Sequence, residues 1–288
     1  MKRYQSNRGY EPDMLERLHK VQLEILGDFI QVCEKYKLAY FAIYGTALGA
    51  VRHQGFIPWD DDIDVGMLRV DYDRFLEIFQ QELSEKYALL TPEIDDRYAC
   101  TVTHIQKKGT KFISEMSQDL KCEQCIFIDV FPFDYVAEDA KGQIKQERRT
   151  NFWGKLLFLA GTAYPIIPLK GLAGTLAGAA CKLIHGFLKL FRISPKTLYR
   201  KYLRAVTAYN SGEKKEYVTS FENEGSLKNK ILEKEIYPLQ KAKFENLEIN
   251  LPANNDEFLK KVYGDYMQLP PEDQRVNHRP LIIDFGDK

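Results

Sequence analysis

Residues 44–67, YGTALGAVRHQGFIPWDDDIDVGM, decide how the rest of this chain is read. The stretch opens with a Gly-Thr turn after an apolar run. It closes on Asp60, Asp61, Asp62 and Asp64, which lead into Ile63 and Val65. Four carboxylates within five residues repel one another, which implies a positive partner, most simply a divalent cation. If 63–68 is a strand, Asp62 and Asp64 share one face, roughly 6.5–7 Å apart along it, because side chains two apart point the same way. Ile63 and Val65 then turn towards the core.

Three plainer readings compete. An acidic turn can simply face water. A calcium loop is suggested by Asp60, Asp62 and Asp64 at alternate positions, but its sixth place carries Val65 instead of Gly and its twelfth Asp71 instead of Glu. Capping of the next helix is open only to Asp71.

Working outward, residues 12–38 carry Leu15, Leu18, Val21, Ile25, Phe29 and Val32 at three-and-four spacing, which predicts an amphipathic helix. Residues 39–44 (AYFAIY) read as a buried strand ended by Gly45, and 46–53 as a short helix. Such a turn aims backbone N–H groups at whatever lies beside it. Gly45 would allow a phosphate to approach and the Thr46 hydroxyl could donate to it, although a plain strand-to-helix turn explains the dipeptide as well. Arg52 has the planar fork of a phosphate clamp, or is a helix-end cation.

Downstream, a helix is predicted over 70–83, then strands at 87–90, 100–105, 111–113 and 126–131. The last of these, IFIDVF, holds Asp129 among apolar residues, where an ionised carboxylate is costly unless paired or bound to metal. It is the candidate third acid beside Asp62 and Asp64, or else a strand-end residue bonding backbone before Pro132. Asp134, beyond that proline, is expected to be solvated.

Residues 152–191 differ in composition from their surroundings. Fourteen uncharged residues lie between Lys155 and Lys170, another uncharged run covers 171–181, and Arg148, Arg149, Lys155, Lys170, Lys182, Lys189 and Arg192 fringe them. Each run is shorter than the ~20 residues a spanning helix needs, and Pro165 and Pro168 interrupt the first. Two readings stay open: an insertion resting in the interface of an anionic membrane, and a buried helical hairpin packed on the catalytic sheet. Beyond it, 194–209 is predicted helical and 214–226 turn-rich. Short strands are expected at 236–239 and 247–249, and a helix over 254–263. A loop follows with Tyr263, Gly264, Asp265, Tyr266, Arg275 and His278.

Length allows one or two domains; one catalytic body with an insertion is favoured. Lys plus Arg (41) balance Asp plus Glu (41), so no global field steers the chain to nucleic acid, which is disfavoured as a partner. Five scattered Cys fit reduced thiols, and the single CxxC at Cys122 and Cys125 lacks the further ligands of a zinc site. The first residues, MKRYQSNRGYEPDM, are basic with no apolar run behind them, which does not read as a secretory signal and points to the cytoplasm.

The order of elements, an Asp-x-Asp strand after a Gly-Thr turn and a later strand with one Asp, is similar to the α+β, polymerase-beta-like nucleotidyltransferase fold: a mixed sheet flanked by helices, here with a helical apolar insertion. More narrowly, residues 44–67 with IDVFPFD and YGDYMQLPPEDQRVNH resemble the LicD family of phosphotransferases, relatives of fukutin and its related protein. The resemblance spans about residues 40–278. It implies transfer of a substituted phosphate, typically phosphocholine from CDP-choline, to a hydroxyl of a teichoic acid or other cell-surface glycan, free or lipid-linked, with release of CMP. In family terms Asp62, Asp64 and Asp129 would be catalytic and hold Mg²⁺ or Mn²⁺. Asp60 would support them, Gly45 and Thr46 would face the diphosphate, and Arg52, Arg275 and His278 would bind substrate. The implied division is a catalytic core over 1–150, the apolar insertion over 151–193 and a C-terminal part over 194–288 that completes the site. The setting would be the cytoplasm, peripheral at the inner face of the cell membrane if the insertion docks there. Nucleotidyl transfer to a small molecule and a non-catalytic docking protein of the same fold are the competing functions.

Overall fold

The computed structural model describes residues 9–211, 216–222 and 225–286. Part of the N-terminal reading (1–8) and part of the turn-rich segment (214–215 and 223–224) lie outside the described residues. In chain order the elements are α1 (Pro12–Tyr36), β1 (Phe41–Ala42), α2 (Tyr44–His53), β2 (Asp64–Leu68), α3 (Arg69–Glu82), β3 (Tyr87–Leu90), β4 (Thr103–Lys107), β5 (Lys111–Ile113) and β6 (Phe127–Tyr135). They continue with α4 (Ala140–Gly161), α5 (Gly171–Leu190), α6 (Pro195–Val206), β7 (Tyr217–Thr219), β8 (Ile231–Leu232), β9 (Gln240–Phe244), β10 (Leu247–Leu251), α7 (Asn255–Tyr263) and β11 (Ile282–Asp284).

The architecture is α+β. A mixed seven-stranded sheet runs β1-β2-β6-β4-β3, extended from β6 by β7 and β8. The β2–β6 pair is parallel and its neighbours antiparallel. A β9–β10 hairpin and a β5–β11 ribbon lie apart from it. The main core draws on both halves of the chain: Ile25, Phe29, Phe75, Val65, Ile105 and Val130 share it with Phe244, Ile249, Phe258 and Leu259. Gly66 is fixed by that packing, since a Cβ there would lie 2.7 Å from the Phe41 ring and 2.9 Å from Phe133. Its absence lets those two rings meet edge to face across β2.

Several boundaries differ from the sequence reading for identifiable reasons. The predicted strand at 39–44 shrinks to two residues because Tyr44 adopts a left-handed φ of 45° and starts α2. The predicted strand 126–131 runs on through Pro132 to Tyr135. Asp129 N–H donates towards β2, to Ile63 O at 2.8 Å, so the even-numbered residues face the other edge. On that edge β4 pairing ends at Val130 and β7 pairing begins at Asp134, so Pro132 falls where no donor is called for. Residues 236–239 are not a strand; the hairpin starts at Gln240. Asp134, expected in solvent, is 1% exposed and receives a two-pronged contact from Arg69, at 2.9 and 2.7 Å.

The apolar insertion does not form a hairpin buried on the catalytic sheet. α4 packs chiefly on α6 and α5 on α4, with Leu157, Leu188, Leu198, Tyr199 and Tyr202 forming a second, smaller core. α5 is by itself long and apolar enough to cross a membrane, although neither uncharged run in the sequence reaches that length.

Candidate functional site

α1 shapes the acidic turn. His19 and Gln22 lie one helical turn apart on its inner face; His19 Nε2 donates to Asp60 O (2.8 Å) and Gln22 Nε2 to Asp61 O (2.9 Å). With these carbonyls bonded to helix side chains, the ladder of β2 begins only at Asp64. Asp62 therefore sits in the turn before the strand, not on its face as the two-residue spacing predicts. His19 is held flat against Phe56, with ring centroids 3.7 Å apart.

Asp64 and Asp129 are direct partners in the parallel β2–β6 register, and His104 is Asp129's partner on β4. The three therefore form one row across the sheet. Burial pushes the carboxyls of Asp60, Asp62, Asp64 and Asp129 upward, and mutual repulsion adds to it. Asp64 feels Asp62, Asp129 and Asp60 in that order, and Asp129 feels Asp62. The sequence named these four acids as a set, and in the structure their charges act on one another. His104 Nε2 lies 3.1 Å from Asp129 Oδ1, but its geometry is not that of a hydrogen bond, and Oδ1 is a buried atom with no partner. Burial holds the His104 imidazole down at about 3, so it is neutral there, stacked on Phe127 and 3.1 Å from the Tyr98 hydroxyl.

Asp61, which the sequence reading did not single out, is 2% exposed. It accepts from Tyr10 Oη (2.7 Å) and from the His278 backbone N–H (2.9 and 3.0 Å). His278 Nδ1 is 3.4 Å from Asp61 and 3.7 Å from Asp62. Asp61, Asp62 and His278 bring ligand atoms within 4.8 Å of one another, a grouping able to hold a metal ion. The acid site thus has two ends that share Asp62: Asp64 with Asp129 on the sheet, and Asp61 with His278 where the C-terminal loop crosses.

The other proposed residues hold these parts in place. A Cβ on Gly45 would lie 2.5 Å from Asp60 Oδ2, so the glycine lets the Asp60 carboxylate rest against the start of α2. Thr46 is buried and its Oγ1 accepts from Asp64 N–H at 2.8 Å, tying α2 to β2. Arg52 donates to Tyr266 O (2.7 Å) and Gln268 O (3.4 Å), which fixes the loop after α7. Arg275 donates to Pro270 O (3.2 Å) and lies over the Trp59 ring at 4.8 Å. Glu222 and Tyr263 were also missed as neighbours of the acids. Asp129 feels the charge of Glu222, whose carboxyl burial raises to about 7; Tyr263 feels Asp64, Asp60 and Asp62. His19 and Gln22 were legible in principle as polar residues on the apolar side of α1; nothing in the sequence marks Glu222.

Two expected results follow. Gly45→Ala forces Asp60 to move, and activity should fall about tenfold or more with little change in melting temperature, because the contact is with a side chain and not with backbone. The second concerns pH. Raised carboxyl pKa values mean that above about pH 4 the native chain binds more protons than the unfolded one, so stability falls as pH rises. His278 acts in the same direction. Its hydrogen bond to Asp61 raises it from 6.5 to about 9, a contribution complete below 6.5 and lost as pH climbs through about 9. Metal-free protein should melt progressively lower from about pH 5 to about pH 9, and millimolar Mg²⁺ should flatten the slope. A flat metal-free profile would contradict the acid coupling.

A family model described as the LicD/FKTN/FKRP nucleotidyltransferase domain matches residues 37–159, which include Asp60, Asp62, Asp64 and Asp129. The chain is 31% identical over 268 residues to the lipopolysaccharide cholinephosphotransferase LicD of Haemophilus influenzae, an alignment covering 90% of this chain and 93% of that protein. Two uncharacterised rickettsial proteins match a shorter stretch of 58 residues. The one from Rickettsia typhi is 41% identical over 20% of this chain and 19% of its own length, and the one from Rickettsia prowazekii is 40% identical over 20% and 22%.

Proposed function

The chain belongs to the LicD family, and from that membership we propose that it transfers phosphocholine from CDP-choline to a hydroxyl of a cell-surface glycan, of the lipopolysaccharide or teichoic-acid kind, and releases CMP. The choline and the lipopolysaccharide-type acceptor are carried over from the Haemophilus influenzae relative. The observation that carries the chemistry is the register of Asp64 against Asp129, with Asp60 and Asp62 acting on both. We assign this parallel, acid-bearing strand pair to a polymerase-beta-like nucleotidyltransferase core.

The donor set suits a hard divalent cation, Mg²⁺ or Mn²⁺. It consists of carboxylate oxygens, several crowded enough to raise one another's pKa, and Asp129 Oδ1 is buried without a partner. Asp62, Asp64 and Asp129 would hold the ion, with Asp60 in support. When bound, it would offset the charge of the diphosphate and of the departing CMP. The remaining work falls to the chain's own groups. The acceptor hydroxyl oxygen forms the new P–O bond as the bond to CMP breaks, and Asp129, through its carboxylate oxygen not committed to the ion, takes the hydroxyl proton. Gly45, Thr46 and the uncapped start of α2 face the diphosphate. Arg52 and Arg275 fix the loop that carries His278 to the acids. Catalysis of this kind rests on positioning and charge, which two inner strands paired on both sides supply.

The test is incubation with Mg²⁺ and a panel of CDP-choline, CDP-glycerol and CDP-ribitol with a glycan acceptor, following CMP. CMP release with choline phosphate on the acceptor supports the reading. Pyrophosphate release from a nucleoside triphosphate would move it to nucleotidyl transfer, and turnover unaffected by chelator would remove the metal.

A further inference from the structure

Between Glu147 and Glu213 the sequence contains no Asp or Glu but eleven Lys and Arg, in a chain whose net charge is zero. The basic excess is therefore concentrated in the segment that carries α4, α5 and α6. Along α5, Gly174, Gly178, Cys181, His185 and Leu188 recur at three-and-four spacing and form its inner face. His185 Nδ1 donates to Leu159 O (2.6 Å), and Leu188 joins the second core. On the opposite face Leu172, Leu176, Ala179, Leu183, Phe187 and Leu190 make a continuous apolar stripe along the 20-residue helix, a length of about 30 Å. Leu172, Leu183 and Leu190 are 76%, 75% and 77% exposed. The turn leading into the helix extends the patch with exposed Tyr164, Ile166 and Leu169.

A contiguous apolar strip of this length marks an interaction surface. The charges around it select the partner. Lys182 and Lys189 lie along one flank of the stripe, Lys182 over the Tyr164 ring at 4.7 Å, while Lys170 and Arg192 stand exposed at the two ends. Lys196 and Arg200 are taken up by Glu93; Arg148, Arg149 and Arg204 are exposed. Packing the stripe against a second copy would bring two basic faces together. An anionic bilayer meets both features, with acyl chains for the stripe and phosphates for the Lys and Arg side chains.

We propose that α5 docks this protein on an anionic membrane surface, lying in the interface with its leucine stripe inserted and its inner face still packed on α4. That packing and the two lysines in the second half of the helix distinguish this placement from a spanning one. Docking goes beyond the proposed transfer reaction, and its readout does not depend on turnover.

The experiment is flotation of the full chain with vesicles of phosphatidylcholine alone or with phosphatidylglycerol added. The protein should float with the anionic vesicles and less as salt rises, and Leu176→Glu with Leu183→Glu should lower the bound fraction about tenfold or more at unchanged melting temperature. Absence of flotation with either vesicle, or flotation of the double variant equal to that of the wild type, would overturn the proposal. So would a dimer in ultracentrifugation that the same substitutions abolish while vesicle binding persists. Release of the membrane-bound chain by alkaline wash supports interface docking, and retention would replace it with a spanning helix.

Discussion

Asp64→Asn should lower turnover by about a thousandfold or more while leaving the fold intact or slightly more stable. The side chain sits in register with Asp129 and is repelled by Asp62, Asp129 and Asp60, so removing its charge relieves repulsion in the folded chain. An amide keeps the shape but is a poor ligand for a hard cation. Asp62→Asn, at the point shared by the two ends of the acid site, should behave alike. Turnover measured at saturating Mg²⁺ beside a thermal melt separates the effects; a near-wild-type rate in either variant would remove that residue from the set of ligands.

Arg69→Met should cost about 3–5 kcal/mol of stability, because it strands a buried carboxylate. Asp134 receives both prongs of Arg69 and also Asn210 Nδ2 at 2.7 Å, and it is itself the residue at which the pairing with β7 begins. The pair lies five residues beyond Asp64 and Asp129, Arg69 at the start of α3 and Asp134 on β6, and ties the two just past the last β2–β6 partners, Leu68 and Phe133. Urea denaturation gives the magnitude. Adding Asp134→Leu to the same chain should restore much of the loss, since an apolar pair leaves no charge unpartnered. A single-variant loss below about 1 kcal/mol would show that solvent reaches Asp134.

What the sequence made legible was largely local. The three-and-four spacing of α1 and the apolar faces of β2 and β6 placed those elements within a few residues, and the isolated acid in IFIDVF singled out Asp129. Long-range contacts were not legible. Asp61 looks like any member of an acidic run, and only the fold brings Tyr10 and His278 to it. The left-handed Tyr44 leaves no compositional mark. Pro132 signalled a strand end and yet sits mid-strand, because its tolerance depends on which neighbour lies beside each residue. Asp134 was misread for the same reason: its partners are the side chains of Arg69 and Asn210, 65 and 76 residues away. Composition marked the segment around α5 as unusual, but only the structure shows which of its faces stays open.

The contact between Asp61 and the His278 backbone joins positions 217 residues apart. On a translating ribosome that separation corresponds to roughly 10–45 s of elongation. Through that interval β2 and β6 carry their crowded acids without the segment that closes over them.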